Sequence, residues 1–442
     1  MDILDLIEQK RYVDIKNILS EMNEVDIAEI LNPLDPSVNL LIFRMLPKDI
    51  AVEVFAYFSA DQQADIIRTV TDKELKNILD DLFFDDMIDL IEEMPANIVN
   101  KILTNSTQSQ RNLINQFLKY PVDSAGSLMT IEYVELRKDM TVREALNHIK
   151  EIGLTKETVY TCYVSDKNRK LQGIVSLKNL VISDEDKLIS EIIHDDVIFV
   201  NTHDDQETVA NIFKKYGFIA LPVVDKEQRL IGIITVDDIM EVMEKEATED
   251  FQRMAALAPS EVAYMDSGVF SLAKQRLPWL LVLMVGAALT GGIISRFESV
   301  LQSVVLLTAF IPMLMDTGGN SGNQASTLII RGLATGDVTL HDVWNVLWKE
   351  FRISLIAGIG LAAINFLKNM FLDRVGLLVS ITVSLTLVIT VMLAKMTGGV
   401  LPLIAKKLRM DPAIMAGPLI TTIVDSLALL VYFSIARLLL HI

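Results

Sequence analysis

Apolar residues recur three and four positions apart through roughly the first 120 residues, as at Ile27, Ile30, Leu31 and Leu34, the period of an amphipathic helix. Breakers at Pro33, Pro36, Pro47 and Pro95 cut this run into short helices, and a Leu/Met-Pro step before a helix returns loosely along it. The pattern predicts a small stack of helix pairs, each burying its apolar face on the next. From Tyr120 to Met129 the texture changes, and two similar modules follow. Each reads as a strand, a helix, two strands with a tight turn, and a final helix. Leu171–Leu180 echoes Leu230–Ile239, with Gly173 and Gly232 at matching places, and Ser176 and Thr235 stand where an N-cap would open the next helix. A long acidic helix is then expected from Asp237 to Phe251, with Ile239, Val242, Met243 and Glu246 stepping down it.

The C-terminal third reads as five apolar spans, at roughly 277–297, 300–333, 351–372, 376–401 and 411–440, each able to supply the ~20 residues that cross ~30 Å of hydrocarbon. With the N-terminus inside, the inner flanks hold Lys274, Arg276, Arg331, Lys349, Arg352, Lys406, Lys407 and Arg409. The outer flanks hold only Arg296, Lys368, Arg374 and Arg437. This asymmetry puts the N-terminal half in the cytoplasm and the C-terminus outside a cell membrane.

Two features break the apolar texture. The second span is too long for one crossing and is interrupted by a polar run, Pro312 to Gln324. Its Gly318–Gln324 segment is expected to unwind and present carbonyls, with Asn320, Asn323 and Gln324 adding neutral oxygens. The alternative is close helix packing through the small residues. In the last span, Gly417-Pro418 is expected to loosen the helix, and Thr421 and Thr422 lie one turn before Asp425. A carboxylate costs about 2.5–3.5 kcal/mol at mid-helix on insertion scales, and it persists where it faces protein or water. Pairing of Asp425 with a basic neighbour is the alternative. An acid near free carbonyls is cation chemistry, so the chain reads as a cation channel or transporter.

Charge sharpens this. From Ala273 onward there are 13 Lys and Arg and 8 Asp and Glu, whereas the first 272 residues hold 27 basic and 50 acidic ones. An acidic soluble half argues against nucleic acid as a partner and suits metal cations. The single cysteine, Cys162, cannot form an intrachain disulfide, in keeping with a reducing compartment. The start, Met1 to Asp5, lacks the basic and apolar regions of a secretory signal, so the first span is expected to direct insertion.

None of the five histidines, at 148, 194, 203, 341 and 441, shows ligand spacing, which leaves hard oxygen donors. Magnesium keeps most of its water and needs one or two carboxylates, and two subunits would supply two copies of Asp425 on a shared axis. Further carboxylates crowd the soluble half: Glu53, Asp85 and Asp89; Asp205 and Glu207; and Asp238, Glu241, Glu246, Glu249 and Asp250 along the acidic helix. Like charges at such spacing repel unless cations bridge them, a merely solvated acidic surface being the alternative. No nucleophile–base pair and no P-loop signature is present, which argues against an enzyme.

The Pro312–Gln324 run, the Gly417–Asp425 run and the Tyr120–Met129 lead-in together resemble the MgtE family of magnesium channels, over nearly the whole chain. The resemblance implies a multidomain fold: an all-α helical-repeat domain (1–122), an α/β tandem CBS pair (123–187 and 188–247), a connecting plug helix (248–272, beginning near 240) and an all-α, five-helix transmembrane domain (273–442). It implies a homodimer with a central ion path, in which Asp425 holds hydrated Mg2+ near Gly318, Asn320, Asn323 and Thr421. It further implies closure by cytosolic Mg2+ held among Glu53, Asp85, Asp89, Asp205, Glu207, Asp238, Glu241, Glu246, Glu249, Asp250 and Asp411, and it makes ATP plausible in the CBS pair. Three positions depart from the expected pattern. Gly217 stands where an acidic ligand is expected, and Asp316 and Lys395 are expected to form a buried pair. Competing readings are a membrane-anchored CBS sensor of metal or nucleotide without transport, and a broader Co2+ or Mn2+ transporter.

Overall fold

Helices of the N-terminal region begin every 12 residues: α1 Tyr12–Leu19, α2 Glu24–Leu31, α3 Pro36–Phe43, α4 Lys48–Ala56, α5 Ala60–Thr69, α6 Asp72–Asp81, α7 Phe84–Glu93, α8 Ala96–Asn105 and α9 Gln108–Phe117. The same interval runs through the core, where Leu19, Leu31, Phe43, Phe55, Ile67, Leu79 and Ile91 are all buried. Asn23, Asp35, Thr71 and Thr107, each one residue before its helix, accept a backbone N–H and so satisfy an orphan donor. The expected loose repeat is thus a strict one. Its packing also differs from the expected stack of pairs, because each helix rests on the next but one, α2 on α4, α3 on α5 and α4 on α6. Two buried polar residues beside this ladder, 24 positions apart, do the same job. The Asn39 amide donates to the Leu31 carbonyl (3.4 Å) and the Gln63 amide to the Phe55 carbonyl (3.0 Å), satisfying buried carbonyls at the C-terminal ends of the preceding helices.

This computed structural model describes residues 6, 7, 9, 11–260, 264, 265 and 267–441. The acidic start, Met1 to Asp5, and part of the connector before Ser271 lie outside the described residues. The chain forms two units, Met1–Met243 and Glu244–Ile442.

The rest of the first unit is two copies of one α/β module. In the first, β1 Val134–Arg137 pairs parallel with β2 Thr161–Ser165, and β2 pairs antiparallel with β3 Leu171–Ser176. In the second, β4 Val200–Asn201, β5 Ala220–Val224 and β6 Leu230–Thr235 repeat that order. Gly173 sits opposite Val164, and Gly232 sits opposite Val223, each beside a register shift. Both glycines are obligatory for the same reason: a Cβ on Gly232 would lie 2.5 Å from the Thr130 carbonyl oxygen, and one on Gly173 would lie 2.7 Å from that of His194. The modules join through the Leu171 N–H to the Gln228 carbonyl (3.1 Å) and the Leu230 N–H to the Arg169 carbonyl (2.9 Å). Ser176 caps its helix as expected. Thr235 immediately precedes the helix that starts at Val236, and its hydroxyl donates to Asp238 (2.6 Å). Cys162 is buried in β2, and burial pushes its thiol up to about 12.

The acidic helix, α10, runs Val236–Met254. The connecting helix placed at 248–272 is therefore shorter than expected and ends at Met254, where Ala256 turns to a φ of +55° before Pro259.

Among the described residues of the second unit, four helical segments are long and apolar enough to cross a membrane, Val269–Arg296, Leu340–Phe371, Leu377–Lys407 and Pro412–Leu440, and they hold α11 Val269–Arg296, α13 Val343–Phe371, α14 Leu377–Lys407 and α15 Gly417–Leu440. The fifth long helix, α12 Ile311–Thr335, has 25 residues and carries the polar run. It packs on α14 and α15, and α13 packs on α14. The polar run does not unwind. It is continuous α-helix, and the close-packing alternative holds: a Cβ on Gly318 would lie 2.8 Å from Val424 Cγ1, one on Gly319 would lie 2.8 Å from Thr421 Cγ2, and one on Gly322 would lie 2.7 Å from Ile420 Cγ2. Gly398 of α14 faces the Gly322 carbonyl, where a methyl would collide with backbone. Gly398→Ala is expected to cost about 3 kcal/mol, lowering the melting temperature of the detergent-solubilised protein by roughly 6–12 °C. Gly360→Ala, which meets open space, is the control, and equal melting of the two would refute the contact.

Candidate ion path and acidic clusters

Along α12, Asp316, Asn320, Gln324, Thr327 and Leu328 are exposed in the single chain, four of the five being polar. At membrane depth such a face needs water or protein against it, because hydrocarbon supplies neither donor nor acceptor. The Asn320 amide donates to Asp316 (3.1 Å), one helical turn away. Gly318 and Gly319 bring this helix against Val424 and Thr421, so Asp316 and Asp425 approach across the α12–α15 contact and the Asp316 charge acts on the Asp425 carboxylate.

Asp425 is half-buried on α15, and among the described residues no donor or basic side chain bonds it. The packing alternative, a basic partner for Asp425, is therefore not what the structure holds. The hydroxyls of Thr421 and Thr422 both donate to the Pro418 carbonyl (2.8 and 2.9 Å), leaving their lone pairs as acceptors. Gly417-Pro418 does not loosen a helix. It opens one: Gly417 has a φ of +46°, and a Cβ there would lie 2.5 Å from the Met254 carbonyl oxygen.

The expected Asp316–Lys395 pair is absent among the described residues. Asp316 faces outward and meets Asn320, whereas Lys395 is buried and donates to Gln324 (3.4 Å). The charge beside Lys395 is Glu350 of α13, itself buried, a residue the sequence reading overlooked. Glu350 lies near the start of α13, two residues past Trp348, and looked there like an ordinary flanking charge.

In the first unit the sequence-named carboxylates partly converge. Asp85 of α7 is held well above the ordinary carboxylate range, first by burial and then by the charges of Asp238, Asp86 and Glu157. Burial, with Asp238, Glu53, Asp237 and Glu241 around it, pushes Asp86 up to about 7. Burial, with Asp237, Asp238 and Asp86, pushes Glu157 up to about 8, and its Oε2 is buried without a hydrogen-bond partner. Asp238 rises to about 6 through burial, against the Thr235 hydroxyl that holds it down. Glu53, Asp85, Asp238 and Glu241 are thus brought together. Asp86, Glu157 and Asp237 were missed, and Glu157 stands in a loop with no spacing to announce it. Asp205 caps the helix Gln206–Tyr216 by accepting the Glu207 N–H (3.0 Å), and Asp89 is exposed on α7. Gly217 is the left-handed C-cap of that same helix, with a φ of +66°, so a conformational need accounts for a glycine there.

In the second unit, Arg253 pairs with both Glu249 and Asp411. Asp250 beside them is pushed up to about 6 by burial, then by Asp411 and Glu246, with Arg331 opposing. The sequence reading missed Arg253. Among the described residues no three His, Cys, Asp or Glu side chains close on one point tightly enough to hold a metal ion.

These features define a multi-pass membrane protein with a polar helix face, a carboxylate inside an apolar helix and a tandem pair of α/β modules. A family model described as a divalent cation transporter matches residues 311–435, an MgtE intracellular N domain matches 22–123, and CBS domains match 125–185 and 189–245. The chain is 37% identical over 433 residues to a magnesium transporter MgtE of Thermus thermophilus, covering 97% of this chain and 95% of that one. It is 30% identical over 425 residues to a magnesium transporter MgtE of Bacillus subtilis, covering 93% of each. A crystal structure of the cytosolic domain of the Mg2+ channel MgtE in complex with ATP matches with a TM-score of 0.51 at 32% identity, covering 54% of this chain and 98% of that one. The chain belongs to the MgtE family.

Proposed function

We infer that the protein carries Mg2+ across a membrane along the polar face of α12, past Asp425. The observation that carries this is the Asp425 carboxylate, which nothing bonds among the described residues, joined by Asp316 across a glycine-mediated helix contact. Two carboxylates and ring-free oxygen donors suit a hard, hydrated divalent ion. The relatives named for magnesium transport, matched over nearly their whole length, favour Mg2+ over Co2+ or Mn2+ and favour transport over sensing alone.

The outward polar face of α12 also supports a homodimer, since a second copy would cover it. The inside position of the soluble half rests on the basic flanks, and ATP in the CBS pair rests on the relative solved with it. Gating follows from charge. Without metal the carboxylates around Asp85 and Asp238, and those around Asp250 and Asp411, repel at the two ends of α10. A divalent ion at either place relieves that repulsion, so cytosolic Mg2+ favours one state by its greater affinity for it. Flux into proteoliposomes, with free Mg2+ varied on the soluble-domain side, tests both parts. Influx is expected, falling as that Mg2+ rises. Influx with no shut-off sinks the gating, and no influx at all sinks the transport reading.

A further inference from the structure

Between α12, α13 and α14 lies a cavity of about 840 Å3, lined by Asn320, Asn323, Gln324, Thr327, Glu350 and Lys395, which reaches Met254 and Gly417. It continues the polar face of α12 beyond Asp316. Glu350 and Lys395 are only 5% and 6% exposed. The fold fixes both. Gly399, one turn from Lys395 on α14, packs on the methylenes of Glu350, since a Cβ there would lie 3.3 Å from Glu350 Cγ. Lys395 donates to Gln324 at 3.4 Å, and among the described residues no donor bonds the Glu350 carboxylate. Lys395 is the foremost charge acting on it, with Lys349 second. A buried acid facing a polar cavity, answered by a long flexible ammonium without a direct bond, is a poor way to lock helices together. Packing alone would be served as well by apolar residues of like volume.

We propose that Lys395 is a tethered cation that neutralises Glu350 between ion passages, making Glu350 a second station on the divalent-cation path. This rests on the transport reading above. A divalent ion arriving past Asp425 brings twice the charge of the ammonium and takes over the Glu350 carboxylate, while the ammonium stays on Gln324. The nearby ammonium repels the bound ion and helps release it, so that a strong site does not become a trap. Removing either charge unbalances the station in opposite directions. Lys395→Met leaves the carboxylate without its competitor, so the ion is held longer. Glu350→Gln leaves a buried ammonium facing the path, which repels it.

The test is Mg2+ influx into proteoliposomes of the full chain, with rates normalised to folded protein. Lys395→Met is expected to lower the KM about fivefold and the maximal rate with it, and Glu350→Gln to raise the KM about tenfold, each a charge effect of roughly 1–1.4 kcal/mol at an effective dielectric near 20. The double variant is expected to return the KM to within about twofold of the parent, as paired charges cancel. Singles that shift the KM the same way, or leave it unmoved while the parent transports, overturn the proposal. So does a double variant that restores only the folded yield. If Glu350→Gln does not fold, the direction of the KM in Lys395→Met decides alone. A parent that carries no Mg2+ fails the transport reading instead, and the station falls with it.

Discussion

Asp425→Asn is expected to reduce Mg2+ influx at least tenfold while leaving folded yield unchanged. A divalent ion held through its water shell at roughly 5 Å gains about 7 kcal/mol from one carboxylate at an effective dielectric near 20, and a third of that is already more than tenfold. Among the described residues nothing bonds Asp425, so its amide isostere removes charge without orphaning a partner. Asp316→Asn is expected to act in the same direction but more weakly, because Asp316 already accepts from Asn320 and faces the path from the neighbouring helix. Fluorescence-detected influx in proteoliposomes, with the melting temperature as the folding control, measures both. An Asp425→Asn protein that melts normally and transports at the parental rate would falsify the ion-path assignment.

The second large effect is on stability. In the first unit, Asp86, Glu157 and Asp238 have folded pKa values of about 7, 8 and 6, all above the ordinary carboxylate range. A carboxyl raised on folding binds more protons when native than when unfolded. Its stabilising contribution is complete below the unfolded value, near 4, and is lost as pH rises through the folded value. Metal-free protein is therefore expected to melt at lower temperature at pH 8.5 than at pH 6. If Mg2+ binds the ionised cluster as the gating proposal has it, the ion opposes this trend. At a hundredfold excess over its Kd it adds about 2.7 kcal/mol, or roughly 5–10 °C, more at pH 8.5 than at pH 6. Differential scanning of the full chain in detergent, with and without chelator, reads this. The double variant Asp86→Asn/Asp238→Asn is expected to lose both the pH trend and most of the Mg2+ gain. A Mg2+ increment independent of pH and of these residues places the bound ion elsewhere.

Much of this was legible in the chain because some constraints act through single residues. A carboxylate in an apolar span is conspicuous wherever the helix turns, and Asp425 was found for that reason. Gly173 and Gly232 were visible as an echo because a close strand approach admits no side chain at either place. The polar run of α12 was found but misread. Glycines that permit unwinding also permit close packing, and only the positions of Val424, Thr421, Ile420 and Gly398 decide between them. The partner of Lys395 was missed because pairing across helices depends on rotation about each axis, which an apolar span with little periodicity does not encode. Arg253 was invisible for a related reason: its partner Asp411 is 158 residues away. The 12-residue rhythm escaped notice because its ladder positions accept Leu, Ile and Phe alike, and at two places nearby an amide that closes the preceding helix.

That rhythm makes the N-terminal region a ruler with two alternating rows. Deleting one helix with its linker ahead of α7 would move every earlier helix to the opposite row, while α7, with Asp85 and Asp86, keeps its own packing on residues 125–128. Deleting two would keep the rows in phase. Lengthening or shortening this region ahead of α7 is thereby expected to preserve the packing of the earlier helices in steps of two and to disrupt it in steps of one.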